Sequence, residues 1–196
     1  MSLPSRFITT LNLPNLLSLI RLTLVPFFIV ALSRGDFMSA LILFVAAGTT
    51  DALDGLIARW WKLQTPLGAF LDPMADKILM TASFIVLSLR LPNQDFILPL
   101  WLAIMVISRD VIIVIIAYSL NMVHGVDRFP PSFWGKGNTV FQGATIVLVL
   151  WANLSSSVAP VLPYFYGGAL FFTVLSGFHY LYRTGRWLKR EAPPNA

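Results

Sequence analysis

Four aspartates within apolar segments are the residues of this chain best suited to chemistry. Asp51 and Asp54 lie three positions apart, and Asp72 and Asp76 lie four apart. Residues at these spacings share one face of a helix, so each pair would point in a single direction. A charged side chain within a membrane costs about 2.5–3.5 kcal/mol on insertion scales, and neighbouring carboxylates also repel one another. A bound divalent cation removes both costs, so the spacing predicts a metal site.

The ligands of this predicted site are oxygen atoms. No histidine or cysteine lies near the four aspartates in the sequence, and oxygen donors favour hard cations such as Mg²⁺, Mn²⁺ or Ca²⁺. Gly55 and Gly68 lack side chains and would let a ligand approach the backbone closely. Arg59 supplies a planar guanidinium that suits phosphate. The pattern therefore indicates metal-dependent chemistry on a phosphorylated substrate.

Composition places these residues in a membrane protein. Of the 196 residues, 57% are hydrophobic and 12% are charged, and the mean hydropathy is +0.75. Such values are typical of a polytopic membrane protein rather than a soluble domain. The absence of cysteine excludes disulfides and thiolate chemistry. The net charge of +5 suits anionic lipid head groups, and no nucleic-acid partner is expected.

The hydrophobic pattern predicts an all-α integral membrane fold with six transmembrane helices in one bundle. Because each span takes roughly 20 residues, we expect residues 1–196 to form a single membrane domain. Lysine and arginine collect on one side of this arrangement, which predicts cytoplasmic termini and a basic cytoplasmic tail over 183–196. The predicted spans cover about 13–33, 37–59, 66–89, 96–120, 135–153 and 159–182.

A short connection between the second and third spans should bring the two aspartate pairs together. Asp51 and Asp54 come late in one span, whereas Asp72 and Asp76 come early in the next. Antiparallel helices joined by a short turn place such positions at similar depth. The pairs are therefore expected to face each other at the cytoplasmic ends of both helices. The simplest placement is a bacterial cytoplasmic membrane, with the active site facing the cytoplasm.

The segment that carries the aspartates resembles the signature of CDP-alcohol phosphotransferases. It reads Asp51-Ala-Leu-Asp54-Gly55-Leu-Ile-Ala58-Arg59, then eight residues to Gly68, three to Asp72 and three to Asp76. Every fixed position of that signature is present. Further stretches are similar to the bacterial phosphatidylglycerophosphate synthases of the same family, namely 11–18, 68–77, 107–110 and 134–136.

The resemblance implies an enzyme that joins CDP-diacylglycerol to the hydroxyl of a small alcohol phosphate and releases CMP. Family members are usually homodimers, so a homodimer is expected. By the same resemblance, a metal, Mg²⁺ or Mn²⁺, would be held by Asp51, Asp54, Asp72 and Asp76, and Asp76 would also serve as general base. The cytidine nucleotide pocket would be lined by Gly55, Ala58, Arg59 and Gly68.

The acceptor site must be sought outside the signature. An acceptor phosphate needs cationic partners, and Arg109 with Lys136 are the candidates. Arg109 could instead form a structural ion pair with Asp110 or another acid, and Arg21 could equally tether two helices. Glycerol 3-phosphate is the first choice of acceptor. Asp110 and the Asn138-Thr139 pair also resemble the cardiolipin synthases of this family, which use phosphatidylglycerol. Inositol phosphate is a third possibility.

A cation transporter is the alternative from a different functional class. Intramembrane carboxylates can bind a transported ion, but such sites usually lie near the bilayer midplane at broken helices or repeats. Here the acids cluster at one end of two spans, beside Arg59 and two glycines. This placement favours the enzyme.

Overall fold

The protein is all-helical throughout the part of the chain that the structure describes. In a computed structural model, residues 13–61, 66–124 and 133–191 are described. They form six α-helices and one short 3-10 helix, with no β-strand among them, as the sequence predicts. The helices are α1 (Leu13–Ser33), α2 (Phe37–Trp61), α3 (Pro66–Leu87), α4 (Leu100–His124), α5 (Phe133–Ala152), the 3-10 helix (Ser156–Val161) and α6 (Leu162–Glu191).

Internal contacts divide the chain into two compact units, and each is described by itself. The first comprises residues 1–98 and 146–159, and the second comprises 99–145 and 160–196. Helices α1, α2 and α3 therefore belong to the first unit, whereas α4, most of α5 and all of α6 belong to the second. The four aspartates fall in the first unit, and both candidate acceptor cations fall in the second.

The turn between α1 and α2 follows from the backbone preferences of two residues. Gly35 has φ +71°, the left-handed conformation that favours glycine. Its N–H donates to the Leu32 carbonyl at 2.9 Å, and the Asp36 N–H donates to the Ala31 carbonyl at 3.0 Å. The Asp36 carboxylate then accepts the Ser39 N–H at 3.0 Å and caps α2. Hydrogen bonding to Ser39 lowers the pKa of Asp36 below its ordinary value.

Helix α1 is the central element of the first unit because it packs against both α2 and α3. Phe28 and Leu32 of α1 are completely buried, and the Phe28 ring lies 5.9 Å from the Phe44 ring of α2. Phe84 and Leu87 of α3 are equally buried. Close packing of such large side chains makes the arrangement of the three helices specific. Helices α2 and α3, which carry the aspartates, thus both pack against α1.

In the second unit, two glycines allow aromatic side chains to pack closely between α5 and α6. The Phe141 and Phe172 rings stack with their centroids 4.4 Å apart. A Cβ atom at Gly168 would lie 2.8 Å from the Phe141 ring, and one at Gly137 would lie 3.0 Å from the Phe172 ring. Larger residues at either position would push these rings away. Helix α4 of the same unit packs against α6.

Two segments of the described chain are long and apolar enough to cross a membrane, judged by length and composition. Helix α6 continues beyond the predicted span end near residue 182, through Arg183 and Arg186 to Glu191. Arginine and lysine are good helix formers, so a basic segment can continue a helix. The two candidate spans are Leu100–Leu120 and Ser156–Leu188.

Candidate active site

The four aspartates lie on two helices that contact each other within the first unit. Asp54 precedes the end of α2 at Trp61 by seven residues. Asp72 follows the beginning of α3 at Pro66 by six residues. The two pairs are therefore at matching distances from the connection between the helices. The side chains of several predicted site residues lie outside the described part, namely Asp51, Asp54, Gly55, Ala58, Arg59, Gly68 and Asp72.

Asp76 is the signature aspartate whose side chain the structure describes. It is half-buried, and the neighbouring Ala75 and Leu79 are each only 2% exposed. The buried neighbours anchor this turn of α3, while the carboxylate keeps partial access to its surroundings. A carboxylate in this setting can accept a proton or bind a cation.

A metal would have to be held by ligands from both aspartate helices. Among the side chains that the structure describes, there is no group of three histidines, cysteines, aspartates or glutamates that could hold a metal. Three of the four signature aspartates, Asp51, Asp54 and Asp72, lie outside that set. The donor set itself, four carboxylates on two neighbouring helices, fits Mg²⁺ or Mn²⁺.

Arg21 is a completely buried cation in the same unit. It is 1% exposed and lies on α1, the helix that packs against both α2 and α3. A buried guanidinium must be paired or hydrogen-bonded because its desolvation is otherwise very costly. This location is compatible with the prediction that Arg21 ties helices together.

Arg109, the first candidate acceptor cation, forms an ion pair with the next residue. Its Nη1 lies 2.7 Å from Oδ1 of Asp110, and the two side chains are 15% and 14% exposed. Nε of Arg109 is buried and has no hydrogen-bond partner in the described part of the chain. The ion pair of the alternative prediction is therefore present. The Nε donor of the same guanidinium takes no part in it.

Arg109 also lines an apolar groove between α4 and α6. The groove has a volume of about 300 Å³, and its other lining residues include Ser108, Thr173, Gly177 and Phe178. A Cβ atom at Gly177 would lie 3.5 Å from Cγ of Arg109. The aliphatic part of the arginine therefore lies against the backbone of α6, as long basic side chains do on apolar surfaces.

Lys136, the second candidate cation, is exposed in the first turn of α5. Val140, one turn later on the same face, is 68% exposed. Asn138 and Gln142 occupy a different face of the helix and are 0% and 1% exposed. Arg109 and Lys136 thus lie in contrasting environments of the second unit.

The structure adds buried polar residues that the sequence reasoning did not assign to a site. Thr173 of α6 is 1% exposed, and its hydroxyl donates to Oδ1 of Asn138 at 2.9 Å. Gln142 lies one turn beyond Asn138 on the same helix face. In the sequence, these residues could have been noticed because two amides, Asn138 and Gln142, lie four positions apart within an apolar segment.

Most of the chain is similar to known proteins. The family model for CDP-alcohol phosphatidyltransferase matches residues 11–175. The CDP-diacylglycerol--glycerol-3-phosphate 3-phosphatidyltransferase of Haemophilus influenzae is 34% identical over 176 residues, which cover 87% of this chain and 91% of that protein. The Bacillus subtilis protein of the same name is 32% identical over 195 residues, covering 91% and 97%. Human cardiolipin synthase (CMP-forming) is 37% identical over 179 residues, covering 83% of this chain and 56% of that protein.

The family match includes all four aspartates and both candidate acceptor cations. It extends well beyond the signature segment, over most of the helices in each compact unit. The resemblance seen in the sequence is thereby confirmed. The chain belongs to the CDP-alcohol phosphatidyltransferase family.

Proposed function

We propose that the protein transfers the phosphatidyl group of CDP-diacylglycerol to glycerol 3-phosphate, which forms phosphatidylglycerophosphate and releases CMP. The observation that carries this proposal is the similarity to the Haemophilus influenzae enzyme over 87% of the chain. The complete aspartate signature adds support, because a member that has lost its activity would be expected to have lost one of these residues.

In the proposed reaction, a hydroxyl of the acceptor attacks the lipid-side phosphorus of the pyrophosphate. A new oxygen–phosphorus bond forms as the bond to CMP breaks. Asp76 accepts the proton of the attacking hydroxyl as general base. Asp51, Asp54, Asp72 and Asp76 would hold Mg²⁺ or Mn²⁺. When bound, the metal would neutralise negative charge on the phosphates.

The remaining proposed roles concern substrate binding. Arg109 and Lys136 bind the acceptor phosphate, and the unused Nε donor of Arg109 and the exposure of Lys136 support these assignments. Guanidinium and ammonium groups form the strongest hydrogen bonds to phosphate oxygens because both partners are charged. The cytidine nucleotide lies against Gly55, Ala58, Arg59 and Gly68.

We place the enzyme in a bacterial cytoplasmic membrane as six spans with cytoplasmic termini. The two described candidate spans and the one-sided distribution of basic residues support this topology. The active site then faces the cytoplasm, where glycerol 3-phosphate and CMP are soluble. Residues 1–196 act as one membrane domain, and the active form is a homodimer.

Cardiolipin synthesis is the second candidate function. Human cardiolipin synthase (CMP-forming) is 37% identical over 83% of this chain. The apolar groove beside Arg109 is a feature that would also suit an acceptor with acyl chains. In that case phosphatidylglycerol would replace glycerol 3-phosphate, and the same aspartates would serve.

CMP release by the purified protein tests the proposal. CDP-diacylglycerol and Mg²⁺ are supplied with glycerol 3-phosphate, phosphatidylglycerol or inositol phosphate in separate reactions. Release with glycerol 3-phosphate alone is the expected result. Release only with phosphatidylglycerol would establish the second candidate. Release only with inositol phosphate, or with none of the three, would overturn both.

A further inference from the structure

The second unit contains two buried amide side chains with unused hydrogen-bonding groups. Gln142 is 1% exposed, and neither its Nε2 nor its Oε1 has a hydrogen-bond partner in the described part of the chain. Asn138 is 0% exposed, and its Nδ2 is likewise unpaired there. The two side chains lie one turn apart on the same face of α5.

Two hydroxyl groups near these amides do have hydrogen-bond partners. The Thr145 hydroxyl, one turn beyond Gln142, donates to the Phe141 carbonyl at 2.7 Å. The Ser176 hydroxyl on α6 donates to the Thr173 carbonyl at 3.1 Å. Only the two amides leave strong donors and an acceptor unused among these neighbours. Because unpaired buried polar groups are costly and rare in native proteins, the two amides are candidates for contact with a bound molecule.

The Asn138 amide is also held in place. The hydroxyl of Thr173 donates to its Oδ1 at 2.9 Å, so the oxygen is occupied while the NH₂ group remains available. The unused set is then two NH₂ groups and one carbonyl oxygen. Together they offer donors and an acceptor without a formal charge, so they complement a neutral group that both donates and accepts hydrogen bonds.

The complementary ligand is a neutral group that both donates and accepts hydrogen bonds, namely an alcohol hydroxyl. We propose that Gln142, assisted by Asn138, binds the non-reacting hydroxyl of the acceptor's glycerol unit and thereby selects glycerol-bearing acceptors. This inference rests on the proposed function. It applies to the two acceptor sources alike, since glycerol 3-phosphate and the head group of phosphatidylglycerol both carry adjacent hydroxyls.

The test compares acceptors with and without that hydroxyl. Turnover of glycerol 3-phosphate is compared with that of 3-hydroxypropyl phosphate, which has the same reacting end but lacks the second hydroxyl. A parallel arm compares phosphatidylglycerol with its 1,3-propanediol analogue. A site built to bind a hydroxyl rejects an analogue without it strongly, so the wild-type protein should prefer the glycerol acceptor in kcat/KM by about tenfold or more.

Replacement of the amide by an apolar side chain of similar length should remove this preference. In Gln142→Met, the kcat/KM ratio between the two acceptors should fall to within about twofold of unity, and the KM for CDP-diacylglycerol should stay unchanged. The thermal midpoint should remain equal or rise, because an unsatisfied buried amide has been removed. Gln142→Leu provides a second variant in case the first fails to fold. Thr145→Val, on the same helix face, is the matched control and should keep the wild-type ratio.

The outcomes separate this inference from the proposed function. An unchanged ratio in folded Gln142→Met or Gln142→Leu would overturn the inference and leave the proposed function intact. A loss of thermal stability with equal loss of activity on both acceptors would assign Gln142 a purely structural role and also overturn it. Absence of turnover by the wild-type protein with either glycerol-bearing acceptor would overturn the proposed function and the inference together.

Discussion

Asn153 and Phe96 are joined by two hydrogen bonds that run in opposite directions. Oδ1 of Asn153 accepts the Phe96 N–H at 3.0 Å, and Nδ2 donates to the Phe96 carbonyl at 2.9 Å. The same amide accepts the Asp95 N–H at 2.8 Å and donates to the Val149 carbonyl at 2.8 Å. The Asn153 side chain thus provides hydrogen-bond partners for backbone groups of the segment between α3 and α4 and connects this segment to the end of α5.

Removal of this amide should destabilise the first unit. In Asn153→Ala, the backbone groups of Asp95 and Phe96 lose their partners, and the free energy of unfolding should fall by about 1–3 kcal/mol. Unfolding in detergent, followed by circular dichroism during denaturant titration, measures the change. Ser157→Ala, at an exposed position of the 3-10 helix, is the control. Equal stability of the two variants would show that water replaces the amide without cost.

Asp76→Asn should abolish turnover because the amide cannot accept the proton of the attacking hydroxyl. General-base catalysis is typically worth about 10²–10⁴-fold in rate, while CDP-diacylglycerol binding should remain measurable. CMP release and binding of the radiolabelled lipid report the two properties separately. Asp95→Asn, which changes an exposed loop carboxylate, should keep wild-type activity. Substantial turnover by Asp76→Asn would exclude Asp76 as the base.

Removal of divalent metal should stop the reaction. A chelator such as EDTA should bring CMP release to background, since four carboxylates without a cation would repel both one another and the pyrophosphate. Addition of excess Mg²⁺ or Mn²⁺ should restore the rate, whereas Zn²⁺, which prefers nitrogen and sulfur ligands, should restore it poorly. Undiminished CMP release in EDTA would contradict the metal assignment of the aspartates.

Arg109→Ala should weaken binding of a phosphorylated acceptor much more than binding of CDP-diacylglycerol. Hydrogen bonds to charged groups contribute about 1.5–3 kcal/mol, which corresponds to a rise of roughly 10- to 100-fold in the acceptor KM. Steady-state kinetics with each substrate varied in turn give both values. Asp110→Asn is the informative comparison, because it breaks the 2.7 Å ion pair but keeps the guanidinium. Similar rises in both KM values for Arg109→Ala would favour a structural ion pair.

Gly35→Ala should destabilise the turn between α1 and α2. The left-handed conformation alone costs a residue with a Cβ about 1–2 kcal/mol. The new Cβ would also lie 2.5 Å from the Pro92 carbonyl oxygen, so the total loss should exceed that range. Gly48→Ala in α2 is the matched control, because nothing lies within 4 Å of its Cβ position. It should be neutral or stabilising by about 0.5–1 kcal/mol, and a similar loss in both variants would contradict the backbone argument.

Local properties of the sequence were sufficient for the helices and for the family. Helix formation depends on hydrophobic runs and on breaks such as Gly35-Asp36, so each predicted span coincides with one observed helix. The aspartate signature depends only on spacing along two neighbouring helices, so it could be recognised without coordinates. Helix α6 continues past the predicted span end near residue 182 to Glu191, because basic residues continue a helix readily.

Tertiary structure decided which polar groups have partners. The bonds between Asn153 and Phe96 and between Thr173 and Asn138 join residues 57 and 35 positions apart, and no periodicity in the sequence encodes such pairings. The unused amide of Gln142 is equally invisible in the sequence, because an unsatisfied group is defined by what surrounds it. Spacing along one helix is a local property, whereas burial and hydrogen-bond satisfaction depend on which distant segments pack together.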